Sequence, residues 1–93
     1  MIQSFACKET AKIFRREYSG RFPAAIQQAV LRKLRMLHRA TSLDDLRVPP
    51  GNRLEKLSGD WQGFFSIRVN VQWRLCFEWR SGDAFNVSLV DYH

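Results

Sequence analysis

The chain of 93 residues is poor in the side chains from which metal sites and disulfide frameworks are built. It has two cysteines, Cys7 and Cys76, and two histidines, His38 and His93. Two cysteines so far apart do not make the framework of a small secreted domain or a zinc site. None of the five glycines belongs to a phosphate-binding glycine-rich loop. The sequence therefore predicts neither a metal ion nor a small-molecule cofactor.

Long apolar runs are also missing. None approaches the roughly 18 residues that a membrane-spanning helix needs. Residues 1–5 lack the charged start and apolar core of a signal peptide. We therefore expect a cytoplasmic protein with no membrane segment. We also expect a single domain over residues 1–93, because this length leaves no room for a second core.

Acidic residues are scarce in the first part of the chain. Residues 1–40 contain nine lysines and arginines but only two glutamates, whereas residues 41–93 contain six basic and seven acidic side chains. All of the excess positive charge, +6 in the whole chain, therefore lies in the first part. Such a distribution favours a polyanionic partner such as nucleic acid. A solvated basic face is the alternative.

Up to residue 47 the sequence predicts one short strand and two helices. Ile2–Phe5 is expected to be a strand, and a helix of about ten residues is expected from Lys8, with Ser19-Gly20 as its stop. Pro23 suits the first turn of a second helix. An apolar stripe at helical spacing follows, formed by Ile26, Val30, Leu34 and Leu37. The short connection indicates that the two helices are antiparallel.

From residue 53 the hydrophobic period becomes two, which is typical of strands. The clearest alternation sets Trp73, Leu75, Phe77 and Trp79 against Arg74, Cys76, Glu78 and Arg80. We expect the first set in the core beneath the helices, and Arg74 and Arg68 on the opposite, open face. The predicted fold class is α+β, with a short N-terminal strand and two helices packed on one face of an antiparallel sheet.

The last predicted strand, Phe85–Val90, runs directly into Asp91-Tyr92-His93. An acid, a phenol and an imidazole are side chains that commonly move protons in enzymes. RNA cleavage without a metal needs proton carriers and fixed cations that neutralise the developing phosphorane. Arg74 and Arg68, on neighbouring strands, are candidate cations. From these residues alone, an inert terminal tail is the alternative.

Four segments in order resemble the HigB toxins, which belong to the RelE/ParE superfamily of bacterial type II toxin–antitoxin systems. They are Pro49–Leu54, Ser66–Asn70, Gln72–Phe77 and Val90–His93. The resemblance covers nearly the whole chain and implies a RelE-like fold. It also implies a metal-independent, ribosome-dependent mRNA endonuclease that contacts 16S ribosomal RNA and mRNA. A HigA-like helix-turn-helix antitoxin would neutralise it.

The resemblance assigns roles to residues one at a time. Arg74 matches the arginine that stabilises the transition state in this family. Asp91, Tyr92 and His93 match the family's terminal Asp-Tyr-His, which is catalytic or orients the mRNA, and their individual roles stay open. Arg68 is expected to contact a phosphate on the basis of strand geometry, without a family motif.

Two positions depart from the family pattern. Where better-known members carry a catalytic histidine and lysine, this chain has Glu55 and Ser58. In an extended strand Lys56 points the same way as Ser58, about 7 Å along the chain. We therefore expect Lys56 to supply part of the missing positive charge. A slower nuclease is the alternative.

The basic face of the second predicted helix has more than one possible use. Arg32, Arg35 and Arg39 repeat at three and four residues and so share a face. That face suits ribosomal RNA, an acidic antitoxin or simple solubility. Two other functions on the same scaffold stay open. One is gyrase inhibition of the ParE type, against which Arg74 and the terminal residues argue, and the other is an RNA-binding module with a weakened site.

Overall fold

Two helices precede a four-stranded antiparallel sheet in the computed structural model, which describes residues 1–92. The helices are α1 (Lys8–Phe14) and α2 (Ala24–Arg39). The strands, in both chain and spatial order, are β1 (Glu55–Lys56), β2 (Phe64–Arg68), β3 (Trp73–Arg80) and β4 (Asp83–Asp91). The α+β prediction is confirmed. Neither helix is long and apolar enough to cross a bilayer within the described chain.

The predicted opening strand Ile2–Phe5 is wrong. Ile2 and Phe5 instead make two isolated parallel bridges, to Ala84 and Val87 of β4. The pairing is interrupted because β4 has a bulge at Asn86, where φ is +52°. A bulge leaves an extra residue unpaired and bends its strand. The N-terminal segment therefore follows the edge of β4 without forming a continuous ladder.

The first helix is shorter than the expected ten residues. It ends at Phe14 because Arg16 adopts a left-handed conformation, with φ of +64°. The N–H of Arg16 then donates to the carbonyl of Ile13, and the N–H of Glu17 donates to that of Lys12. These bonds satisfy carbonyls that the last helical turn leaves open.

The core lies between the helices and one face of the sheet. Leu75 and Phe77 of β3 are fully buried in one apolar cluster with Leu34 and Leu37 of α2. Trp73 and Trp79, at the two ends of the same alternation, pack against this cluster but are only partly buried. The expected core face of β3 is thus confirmed, most completely at its centre. The even-numbered residues of β3 lie on the other face, because side chains alternate along a strand.

Candidate active site

A groove of about 210 Å³ lies on the sheet face opposite the helices. Strand register explains its position, because Glu55 pairs with Ser66, Ser66 with Cys76, and Cys76 with Ser88. Directly paired residues share a face. The lining residues are Glu55, Lys56, Leu57, Ser58, Trp61, Cys76, Val90 and Tyr92. Residues from β1, the β1–β2 connection, β3 and the end of the chain therefore surround one small space.

Arg74 lies beside this groove and is held by four polar contacts and one ring contact. Its Nε donates to Ser66 Oγ (2.8 Å), and its Nη2 donates to the carbonyls of Arg53 (2.6 Å) and Ser66 (3.4 Å). Its Nη1 lies 3.4 Å from the carboxylate of Glu55. The ring centre of Tyr92 is 5.3 Å from the guanidinium carbon. The guanidinium therefore has one fixed orientation.

Arg74 lies on the sheet face opposite the core, as expected, but that face is covered at this point, because the residue is only 5% exposed. The chain from Arg53 to Glu55 passes over one side of the guanidinium, and Tyr92 packs against it. A buried charge is tolerated when it is paired and hydrogen-bonded. Arg74 meets this condition through one carboxylate, one hydroxyl and two carbonyls. A cation fixed in this way is already oriented before a substrate arrives.

The loop before β1 explains how the Arg53 carbonyl reaches Arg74. Asn52 is fully buried, and its Nδ2 donates to the carbonyl of Leu46 (3.1 Å), while Lys33 of α2 donates to its Oδ1. Arg53 then adopts a left-handed conformation, with φ of +44°. The segment Pro49–Leu54 therefore positions a backbone acceptor for Arg74.

Replacing Asn52 with alanine is expected to lower the free energy of unfolding by about 2 kcal/mol, because Lys33 and the Leu46 carbonyl lose a buried partner. Urea unfolding followed by circular dichroism measures this loss. Gln62→Ala is the matched control, since Gln62 is exposed and should change stability by less than about 0.5 kcal/mol. Equal stability of the two variants would contradict the role given to Asn52.

The terminal residues are not all brought to the groove. Asp91 pairs with Trp73, so its side chain belongs to the opposite sheet face, where it accepts a hydrogen bond from Gln72 Nε2 (3.2 Å). The backbone N–H of Tyr92 donates to the carbonyl of Gln72 (2.6 Å), and its ring lines the groove. His93 lies outside the described residues. Of the predicted terminal group, the structure thus places Tyr92 beside Arg74.

The predicted RNA-binding residues fall into two separate regions. Lys56 lines the groove together with Ser58. Arg68 pairs directly with Arg74 in the β2–β3 register, and its Nε donates to the carbonyl of Asn70 (3.1 Å). Arg68 therefore flanks the buried cation.

The three arginines of α2 lie on the other side of the molecule. Arg32, Arg35 and Arg39 line a second groove, of about 290 Å³, whose apolar residues are Leu31 and Met36. Among residues 1–92, no carboxylate lies within 4.0 Å of these three arginines. None of the residues that line this groove also lines the groove beside Arg74.

Cys76 lines the groove but is poorly suited to act as a nucleophile. The side chain is buried, and burial raises the pKa of its thiol to about 11, although the charge of Arg74 opposes this shift. The thiol is therefore protonated at neutral pH, and a thiol is much less nucleophilic than a thiolate. Within residues 1–92, no cluster of three or more histidine, cysteine, aspartate or glutamate side chains has the arrangement of a metal site.

Two groove residues were missed by sequence reasoning. Glu55 was interpreted only as the loss of a histidine, yet its carboxylate is the one that pairs with Arg74. The available signal was chemical, since a carboxylate can accept a proton as an imidazole does. Trp61 lies between the alternating segments of the sequence, where no periodic pattern shows which way a side chain points.

Comparisons with known proteins agree on one family. A family model described as "RelE-like toxin of type II toxin-antitoxin system HigB" matches residues 3–93. The toxin HigB-1 of Vibrio cholerae serotype O1 is 51% identical over 67 residues, which are 72% of this chain and 70% of that protein. The endoribonuclease HigB of Proteus vulgaris is 31% identical over 93 residues, which cover 100% of both chains.

Solved structures show the same fold at low sequence identity. A YafQ variant from E. coli superposes with a TM-score of 0.61 and 12% identity, covering 98% of this chain and 93% of that one. The YoeB–YefM complex from Staphylococcus aureus gives a TM-score of 0.56 with 15% identity, covering 100% and 98%. At this identity the likeness concerns the fold alone.

Proposed function

We propose that this chain, which belongs to the HigB-like family of RelE-type toxins of type II toxin–antitoxin systems, cleaves mRNA on the ribosome at the groove beside Arg74. It is a toxin of this class and an endoribonuclease. The messenger substrate, the dependence on the ribosome and the residue roles are the proposed part. The observation that carries the proposal is a buried, four-fold anchored arginine beside a groove that contains a carboxylate and a phenol.

The reaction is the attack of a ribose 2′-oxygen on the adjacent phosphorus. The bond to the 5′-oxygen breaks, which leaves a 2′,3′-cyclic phosphate and a free 5′-hydroxyl. Negative charge develops on the phosphorane oxygens, and a preorganised cation stabilises that charge most effectively where little water competes. Arg74 meets this requirement, since its position is set by contacts within the protein.

Proton transfer completes the reaction at both oxygens. Glu55 is the carboxylate that lines the groove and pairs with Arg74. We assign it the role of general base, which accepts the proton of the attacking 2′-hydroxyl. The proton for the leaving 5′-oxygen comes from the terminal segment, which holds the Tyr92 phenol and continues into His93. Asp91, on the other sheet face, positions that segment through Gln72.

Lys56 is proposed to contact a phosphate of the bound mRNA, with Arg68 as a second contact beside Arg74. Lys56→Ala is expected to lower ribosome-dependent cleavage about tenfold, because a lost hydrogen bond to a charged group costs about 1.5 kcal/mol at an accessible site. Lys8→Ala is the matched control, since Lys8 is exposed on α1 on the opposite side of the sheet. A Lys56→Ala chain that stalls translation as well as the wild type would refute this role.

The α2 arginines are proposed to dock the toxin onto ribosomal RNA. They have no ion-pair partner among the described residues, so their charge is available to phosphates. Binding through Arg32, Arg35 and Arg39 should weaken steeply as salt is raised. The antitoxin of this system is proposed to be a helix-turn-helix protein that sequesters the toxin in the cytoplasm, where translation takes place.

Mapping mRNA 5′ ends after brief expression in cells tests the proposed function. We expect cuts at fixed positions relative to the reading frame, and none after expression of an Arg74→Ala chain. Double-strand DNA breaks without such cuts would instead indicate gyrase inhibition. The absence of both mRNA cuts and DNA breaks would indicate a passive RNA-binding module.

A further inference from the structure

Trp61 is a large aromatic residue left half in solvent. It ends the short 3-10 turn Gly59–Trp61, lines the groove, and is 39% exposed. Phe64 packs edge-on against it, with ring centres 5.2 Å apart and planes at 88°. One part of the indole is therefore braced by the protein while another part borders the groove.

A second half-exposed ring borders the same groove. Tyr92 is 41% exposed and is backed by the Arg74 guanidinium at 5.3 Å. Leu57 and Val90 add apolar surface to the lining, and Lys56 adds a positive charge. The groove thus combines two aromatic rings, apolar side chains and a cation.

The size of the groove limits what it can hold. At about 30 Å³ for each water molecule, its volume of about 210 Å³ is the space of about seven water molecules, which suits a small planar group such as a single nucleobase. Single-stranded RNA is recognised where an unstacked base packs on an aromatic side chain while cations contact its phosphates. Trp61, Lys56 and Arg74 supply these elements within one site.

We propose that Trp61 binds an unpaired nucleobase of the substrate RNA by stacking, next to the phosphate that is cleaved. This inference rests on the proposed function and adds a base-binding residue to it. Stacking tolerates every base, because all four have an aromatic face. Trp61 therefore contributes affinity and positioning, and not sequence preference.

Binding of a short single-stranded RNA, made uncleavable by a 2′-deoxy substitution, tests the proposal. We expect Trp61→Ala to weaken binding about tenfold, and Trp61→Phe to stay within about threefold of the wild type because a ring remains. Tyr18→Ala is the matched control, since Tyr18 is an exposed aromatic residue that does not line this groove. Binding is measured by the anisotropy of a labelled RNA at low salt.

An abasic scan of the same RNA shows whether a base is the ligand. For the wild type, removal of one particular base should weaken RNA binding about as much as Trp61→Ala does. For the Trp61→Ala chain, removal of the same base should not weaken binding further. Quenching of tryptophan fluorescence by the intact RNA should disappear in the Trp61→Phe chain, although that chain still binds. This second measurement does not depend on the stability of the alanine variant.

Equal binding by the wild type and Trp61→Ala, or the absence of quenching that depends on Trp61, would overturn the stacking proposal. The mapping of mRNA 5′ ends separates this result from a failure of the proposed function. If cuts occur at fixed positions in the reading frame but RNA binding does not depend on Trp61, the proposed nuclease function stands and the stacking proposal is refuted. If there are no cuts and no RNA binding, both the proposed function and the stacking proposal are refuted.

Discussion

Arg74→Lys is expected to lower ribosome-dependent mRNA cleavage by about 10³-fold, the loss typical of removing a preorganised group that stabilises developing charge. Lysine keeps the positive charge but lacks the planar fork of arginine. It cannot contact Ser66, the Arg53 carbonyl and Glu55 together, as Arg74 does. The charge remains, but its position relative to the scissile phosphate is lost.

The same substitution should lower the free energy of unfolding by about 2 kcal/mol, since buried acceptors lose a partner. Activity is therefore compared at a temperature at which circular dichroism shows both chains fully folded. Arg80→Lys is the matched control, because Arg80 lies on the same face of β3 at its exposed end, with its guanidinium 4.1 Å from the Phe85 ring centre. An Arg74→Lys chain with the activity of the Arg80→Lys chain would refute the proposed role of Arg74.

Glu55→Gln is expected to lower cleavage by about 10²-fold. Glutamine keeps an oxygen that can accept a hydrogen bond from Arg74, but it cannot take a proton from the 2′-hydroxyl. The measurement is the single-turnover rate of cleavage on programmed ribosomes. Glu78→Gln is the control, because Glu78 lies on the same sheet face and its carboxylate contacts Asn86 instead of the groove.

A second substitution distinguishes proton transfer from the loss of an ion pair. Glu55→His supplies a different proton acceptor, and we expect it to retain activity above about pH 6.5, where imidazole is neutral. Its cleavage rate should fall as the pH drops below about 6.5, because the imidazole becomes protonated. Wild-type activity in Glu55→Gln would show that the proton goes elsewhere.

Much of the fold follows from local patterns in the sequence. The alternation from Trp73 to Arg80 correctly predicts which face of β3 is core, and the apolar stripe correctly predicts α2. The opening strand was wrong because its pairing depends on a bulge at Asn86, a feature of its partner strand. A local period reports the face of a residue and not the geometry of its neighbours.

The site was only partly predictable for a related reason. Alternation placed Arg74 on the face opposite the core, but the cover over it comes from Arg53, Glu55 and Tyr92, which are distant in sequence. The burial of Arg74 therefore depends on the tertiary contacts between segments that are distant in the sequence, which a local pattern does not report. Successive side chains of a strand lie on opposite faces. Because Val90 lines the groove, Asp91 lies on the other face of the sheet.

The anchoring of Arg74 links the competence of the site to the weakest part of the sheet. β1 has only two residues and pairs with a single strand, β2. Short edge segments with few neighbours open more readily than central strands. Detachment of β1 would withdraw the Glu55 carboxylate from Arg74, while the Arg53 carbonyl, held through the buried Asn52, and the hydrophobic core stayed in place. The local stability of this edge therefore affects the fraction of molecules in which Arg74, at the proposed site, has all of its contacts.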